Sequence, residues 1–227
     1  MPKTIVVSLG GSLIAPKEID VNFLKKFRQL MLRYIAAGNR VILICGGGNV
    51  CRKYQAAARK VNPRVTDRDL DWVGIGATKI NAELVSAIFG DRAHESIVSD
   101  PRKKVTTTKK IIIGAGHEPG SSSDLDAVWI AKAYNADTVI NLSNITYVYD
   151  KDPSKFKDAK PQHTMTWQAF CKLVGDTWVP GAHVPFDPIA AKYARKWKLK
   201  LLVMKGSDLV NLKNFLNNKK FKGTLVE

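Results

Sequence analysis

Apolar positions along the chain fall into two kinds of run. Thr4 to Leu9, Arg40 to Cys45, Lys110 to Ile113, Thr138 to Leu142 and Lys200 to Met204 are short, rich in Val and Ile, and apolar on successive rather than alternate positions. Such runs predict strands buried on both faces. Between them, Val21 to Ala37, Val50 to Val61, Leu70 to Phe89, Leu125 to Tyr134 and Ile189 to Trp197 carry apolar residues at helical spacing. Strand and helix alternate, which predicts a mostly parallel central sheet with helices on both faces. No repeat or low-complexity linker interrupts this order, and Asp152 to Gln162 reads as a surface loop or hairpin. A chain of 227 residues ordered in this way is expected to form a single domain spanning residues 1–227.

The turns that follow the strands point from fold to chemistry. The first run ends in Gly10-Gly11-Ser12, the second in Gly46-Gly47-Gly48-Asn49, the third in Gly114-Ala115-Gly116-His117-Glu118-Pro119-Gly120-Ser121-Ser122-Ser123, and the fourth in Ser143-Asn144. In open α/β sheets ligands bind outside the carboxyl ends of the strands, where all these turns fall. Glycine lets the backbone approach an anion, and the helix that follows offers free N–H groups and the positive end of its dipole. The P-loop pattern is absent and no G-x-G-x-x-G follows the first strand, so a phosphate site of another kind is expected.

Composition narrows the classes. Hydrophobic residues at 45% and charged ones at 25% exclude a disordered chain, a collagen-like fibre and a coiled coil. No apolar run approaches the ~20 residues of a spanning helix, and Met1-Pro2-Lys3 leads straight into a strand pattern without a signal-peptide profile, so a cytoplasmic location is expected. Cys45, Cys51 and Cys171 form no C-x-x-C pair and read as reduced packing residues. Lys plus Arg at 36 against Asp plus Glu at 20 gives +16, which makes nucleotides, nucleic acid and anionic surfaces the partners to weigh. Without aromatic-interleaved RNA-binding motifs or zinc-finger spacing, a solvated basic surface is favoured and nucleic acid is not expected as a partner. His94, His117, His163 and His183 have no metal-ligand spacing, and no protein metal site is expected.

Read in order, Gly10-Gly11-Ser12, Gly46 to Asn49 with Arg52-Lys53-Tyr54, Asp71 to Ile75 with Thr78 to Ala82, Pro119-Gly120 leading to Ser123-Asp124, Tyr149 to Pro153, and Asp187 to Lys192 resemble the amino-acid kinase superfamily, in particular its uridylate kinase branch. The resemblance runs from the first strand to Gly223-Thr224. It implies a three-layer αβα sandwich, ATP as donor with magnesium held mainly by phosphates and water, UMP as acceptor, and a homo-oligomer of the hexameric kind. The acceptor site it implies comprises Gly47, Gly48, Arg52, Asp71, Gly120, Ser121, Ser122 and Ser123. Backbone amides and a guanidinium suit a nucleotide phosphate, and a carboxylate suits ribose hydroxyls. The donor site it implies comprises Ser8, Gly10, Gly11, Ser12, Gly48, Ser143, Asn144, Tyr149 and Asp152. Lys192, Asp124 and Arg52 are the expected catalytic residues, with Asp124 orienting the phosphate-binding groups.

Plainer roles stand beside these. Arg52 could be a solvated helix residue, Asp71 a first-turn helix charge, Ser122 or Ser123 an N-cap, and Asp150 to Pro153 an Asp-Pro turn. Three positions depart from the family pattern: Ser8 where many relatives carry lysine, Thr146-Tyr147 in place of Asp-Gly, and Lys79 where arginine is common. The rivals are a superfamily kinase acting on isopentenyl phosphate, carbamate or an amino acid, a catalytically silent nucleotide binder, and a nucleic-acid-binding protein.

Overall fold

The computed structural model describes residues 2–177 and 184–227; His183 lies outside them. In chain order the strands are β1 (Thr4–Leu9), β2 (Arg40–Cys45), β3 (Ile111–Gly114), β4 (Thr138–Ser143), β5 (Val148–Tyr149), β6 (Pro161–Gln162), β7 (Thr164–Met165), β8 (Lys200–Lys205) and β9 (Thr224–Val226). The helices are α1 (Gly11–Ile14), α2 (Val21–Ala36), α3 (Gly48–Val61), α4 (Asp67–Phe89), α5 (Ser123–Ala133), α6 (Trp167–Val174), α7 (Pro188–Lys196) and α8 (Leu209–Leu216). One seven-stranded sheet runs in the order β3-β2-β1-β4-β8-β9-β7, and β5 and β6 pair separately as a hairpin. The stretch β3 to β8 is parallel throughout, so these strands deliver their carboxyl ends to one edge. Within this sheet β9 runs antiparallel to its neighbour β8, and β7 pairs parallel to β9.

The continuous apolar runs are explained by burial on two faces. Alternate residues of β1, Ile5, Val7 and Leu9, join a core with Phe27 and Met31 of α2, Val85 and Phe89 of α4 and Leu212 of α8. Val6 faces the other way, into a core with Val128 of α5, Phe170 of α6 and Ala190 of α7. The result is the expected three-layer αβα sandwich. Apolar spacing locates the long helices but starts several late. Thr66 caps α4 by accepting from Asp69 N at 3.1 Å, so that helix opens at Asp67, before the first apolar residue of its pattern. The short β5, β6, β7 and β9 and the helices α6 and α8 carry too few apolar repeats to be read from periodicity. Among the described residues no helix is long and apolar enough to cross a membrane, and the three cysteines are free thiols.

The two cores share no side chain, so damage to each should add. Phe27 is 1% exposed and Phe170 0% exposed. Phe27→Ala and Phe170→Ala are each expected to cost about 3–5 kcal/mol. The double variant should lose the sum to within about 0.5 kcal/mol in chemical denaturation.

Candidate active site

The first two glycine turns leave neighbouring parallel strands and meet backbone to backbone. A Cβ on Gly11 would lie 2.3 Å from the Gly46 carbonyl oxygen and 2.5 Å from Gly48 N. Gly48 takes φ +60°, and a Cβ there would fall 2.2 Å from the Gly11 carbonyl carbon. Neither position admits a side chain. From α4, Asn81 Nδ2 donates to the Gly46 carbonyl at 2.8 Å and holds the second turn from behind. Arg52, on the second turn of α3, donates from Nη2 to Ser12 Oγ at 3.0 Å and so spans both glycine turns. Helices α2, α4, α5, α6, α7 and α8 each begin under a side-chain cap, whereas α3 begins at Gly47 without one. Its first N–H groups are therefore left to an outside acceptor, beside a guanidinium.

Below the turns lies a polar notch in the sheet. Ser8 and Asn141 are register partners on β1 and β4. Strand alternation points both toward α5, and both donate to Asp124 Oδ1, at 3.1 and 3.2 Å. Oδ2 of Asp124 accepts from Asp187 N at 3.3 Å. Asp187 caps α7, accepting from Ile189 N at 2.6 Å and Ala190 N at 3.1 Å, and its other oxygen accepts a hydrogen bond from the Ser122 hydroxyl. Ser122 in turn caps α5, accepting from Leu125 N at 3.1 Å, so its capping role is the observed one. Burial, then the nearby Asp187 charge, push the Asp124 carboxyl up from the ordinary 3.8 to about 7.

The third glycine loop closes the other side. Glu118-Pro119-Gly120-Ser121 is a turn with Ser121 N donating to the Glu118 carbonyl at 3.2 Å and Gly120 at φ +83°. Gly120 N donates to Asp71 Oδ2 at 2.8 Å and Gly116 N to Thr78 Oγ1 at 2.9 Å, which tie the loop to α4. Asp71 is thus not a first-turn charge: α4 starts at Asp67, and Asp71 is held one turn further on. Beside it opens a pocket of about 670 Å³ lined by Arg68, Asp71, Trp72, Glu118, Pro119 and Gly120.

The sequence-predicted residues therefore gather unequally. Ser8, Gly10, Gly11, Ser12, Gly47, Gly48, Arg52, Ser122, Ser123 and Asp124 come together around the ends of β1 and β2, with Asp71, Gly120 and Ser121 on the α4 side. Ser143 ends β4 and its carbonyl accepts from Gly206 N at 2.8 Å; Asn144 follows, exposed. Tyr149 lies in the β5–β6 hairpin, and Asp152 makes a local turn, accepting from Ser154 N at 2.9 Å. The root of that hairpin holds Tyr147 edge-on to His163, with ring centroids 4.9 Å apart. Lys192 is not brought to the notch: its ammonium pairs with Asp176 at 3.0 Å on the exposed flank of α7. Asn81, Asn141, Asp187 and the pair His117–Asp126 carry site contacts without having been assigned a role from sequence. The signals were present for two of them, since Asn141 interrupts an apolar run and Asp187-Pro188 is an N-cap followed by proline at N1.

Asp124 generates a stability prediction with a definite sign. The unfolded carboxyl ionises near 3.8, whereas the folded one keeps its proton to about 7. Its contribution therefore worsens as pH rises between those values and stays unfavourable above them. Asp124→Asn is neutral at every pH, so it should be more stable than the parent at about pH 8 and comparable at about pH 4, while losing activity. Urea denaturation across that range decides it, and an unchanged pH trend would refute the protonation of Asp124.

Comparison with known proteins places this geometry. The model of the amino acid kinase family matches residues 3–205. The uridylate kinase of Thermococcus onnurineus is 33% identical over 227 residues, covering 98% of this chain and 99% of its own. That of Methanospirillum hungatei is 34% identical over 226 residues, covering 98% and 94%. Among solved structures, uridylate kinase from Archaeoglobus fulgidus superposes with a TM-score of 0.84 at 26% identity, covering 98% of this chain and 99% of that one. Aspartate kinase from Synechocystis, at 17% identity and a TM-score of 0.73, shares the fold over 98% of this chain and 39% of its own. Matched over residues 3–205 by that family model and over 98% of its length by those relatives, the chain belongs to the amino acid kinase family.

Proposed function

We propose that the chain, acting as one domain, is a cytoplasmic ATP-dependent nucleoside monophosphate kinase that transfers the γ-phosphoryl group of ATP to UMP, giving ADP and UDP for pyrimidine nucleotide synthesis. The observation that carries this is the uncapped start of α3 between two glycine turns, with Arg52 reaching across them. Full-length relatives named uridylate kinases support UMP as the acceptor.

The acceptor phosphate is held by the first N–H groups of α3 and by Arg52, and the ribose meets Asp71. Ser121 to Ser123 border the acceptor from the third loop. ATP lies along Gly10 to Ser12, Ser143, Asn144 and the hairpin bearing Tyr149 and Asp152. A phosphate oxygen of UMP attacks the γ-phosphorus in line and the bond to the ADP oxygen breaks, a loose transition state that needs positioning and positive charge more than a base. Asp124 and Asp187 have oxygens already taken by Ser8, Asn141, Ser122 and backbone N–H groups, so magnesium would be held mainly by phosphates and water. Bound in that way, magnesium supplies neutralisation of the donor phosphate charge. Asp124 orients the turns rather than touching the reacting atoms. The charge-stabilising role expected of Lys192 falls to Arg52, which already bridges the two turns. Exposed Tyr54, Val61 and Ile80 along α3 and α4 support the expected homo-oligomer.

A coupled assay of ADP release with UMP, CMP, isopentenyl phosphate and carbamate tests the assignment, and UMP should give the highest kcat/KM. Arg52→Ala should raise the UMP KM about tenfold or more, the loss of a charged fork to phosphate. Unchanged UMP kinetics in that variant would return Arg52 to the solvated surface.

A further inference from the structure

On the third loop, two buried groups are joined that the transfer itself does not use. Asp126 is 0% exposed, on the first turn of α5. Its Oδ1 lies 2.6 Å from His117 Nδ1 and accepts from Ser121 Oγ at 2.8 Å. Its Oδ2 has no hydrogen-bond partner, nor has His117 Nε2, which lies 2.9 Å from Glu118 Oε1 but off the direction of a hydrogen bond. His117 precedes the turn Glu118 to Ser121 and Asp126 follows it, so the pair closes the loop at its base. From that turn Gly120 reaches Asp71. We propose that His117 is a positioning residue for the acceptor: with Asp126 it holds the Glu118–Ser121 turn in the shape that meets the acceptor nucleotide, beside Asp71. This rests on the assignment of Asp71 and Ser121 to the acceptor side.

The charges facing the pair are Glu118 on the same loop, Arg102 and Asp100 from the preceding turn, and Asp124 on α5. Arg102 is taken by Asp100 at 3.0 Å and Glu118 at 3.4 Å, which leaves His117 as the cation in hydrogen-bond contact with Asp126. Burial opposes charge on His117, but the bond and charge of Asp126, with Glu118, outweigh it and raise the imidazole above 6.5. Contact with Asp126 thus favours the charged imidazole. Losing that charge at higher pH leaves a buried carboxylate without a cation beside it, and the loop that depends on it loosens. Acceptor binding should then weaken on the alkaline side.

His117→Asn keeps a neutral donor in place of Nδ1 and removes the titration. The parent UMP KM should rise as the pH is taken upward past the ordinary histidine range, while His117→Asn should show a KM raised about tenfold at the low-pH end, flat above it, with kcat within about twofold. The phosphate of UMP titrates near pH 6 in both proteins, so the difference between them isolates the pair. A purely structural role would lower thermal stability without this split. Should His117→Asn fail to fold, the His117 ring titration by NMR serves: its midpoint should lie above that of free histidine and fall in Asp126→Asn. Parent and variant KM values with the same pH profile, or a His117 midpoint at or below the ordinary value, would overturn the proposal while leaving UMP turnover intact. A parent protein that does not phosphorylate UMP would overturn the acceptor assignment and this inference together.

Discussion

Where β1 and β2 end, the two glycine turns lie so close that a methyl group on either Gly11 or Gly48 would overlap the backbone of the other. The strands that feed them pair in register from Thr4 opposite Arg40 to Leu9 opposite Cys45, and Gly46 N donates to the Leu9 carbonyl at 3.0 Å. Sheet register therefore dictates the geometry of the turns, and the turns dictate where α1 and α3 begin. Ser12 and Arg52 meet because each lies just beyond one of these touching turns. Rigidity of this kind suits a transfer that depends on placing two charged phosphates, since a backbone buried in a parallel sheet holds position better than a side chain on a loop.

The polar notch beneath has a cost that the hydrophobic cores offset. Ser8 and Asn141 occupy positions that neighbours fill with Val and Ile, and Asp124, Asp187 and Ser122 extend the bonds from the sheet into two helix caps. Burial first, and the Asp187 carboxylate second, keep a proton on Asp124 up to about 7. Burying such groups is tolerable because each has hydrogen-bond partners. A serine at position 8 leaves Asp124 with neutral hydrogen-bond partners. Positive charge in this site accordingly sits higher, in Arg52 and in the helix starts, rather than within the sheet.

Most of the architecture was legible because its signals are local. Val- and Ile-rich runs locate the central strands to within a residue or so, and glycine after the first three locates the site edge. The helix starts were less legible, because Thr66, Ser122 and Asp187 open their helices with polar or imino residues ahead of the apolar pattern. The same polar signals, Thr166 before α6 with Gly175 after it and Asp208 before α8, were available where apolar spacing was too short to read. Pairings between distant segments were not legible. That Ser8 stands opposite Asn141 requires the strand order, which places β1 between β2 and β4. That Lys192 turns to Asp176 requires the path of the chain after α6. Both follow from packing, which a single sequence does not display.

Asp124 and Asp126 illustrate how the two halves of the site are joined. Residues two apart on a helix point about 200° from each other, so they serve nearly opposite sides. Asp124 turns to the sheet, where Ser8 and Asn141 bind it, and Asp126 turns to the third loop, where His117 and Ser121 bind it. Both sit in the first turn of α5, where the helix dipole favours negative charge. Through the cap Ser122 the same turn also reaches Asp187 and the start of α7. One turn of helix therefore sets the notch against the third loop, and a shift of α5 along the sheet would displace both together. The separation between the notch and the third loop is thereby fixed by the seating of α5 on β1 and β4, a packing constraint rather than a property of either loop.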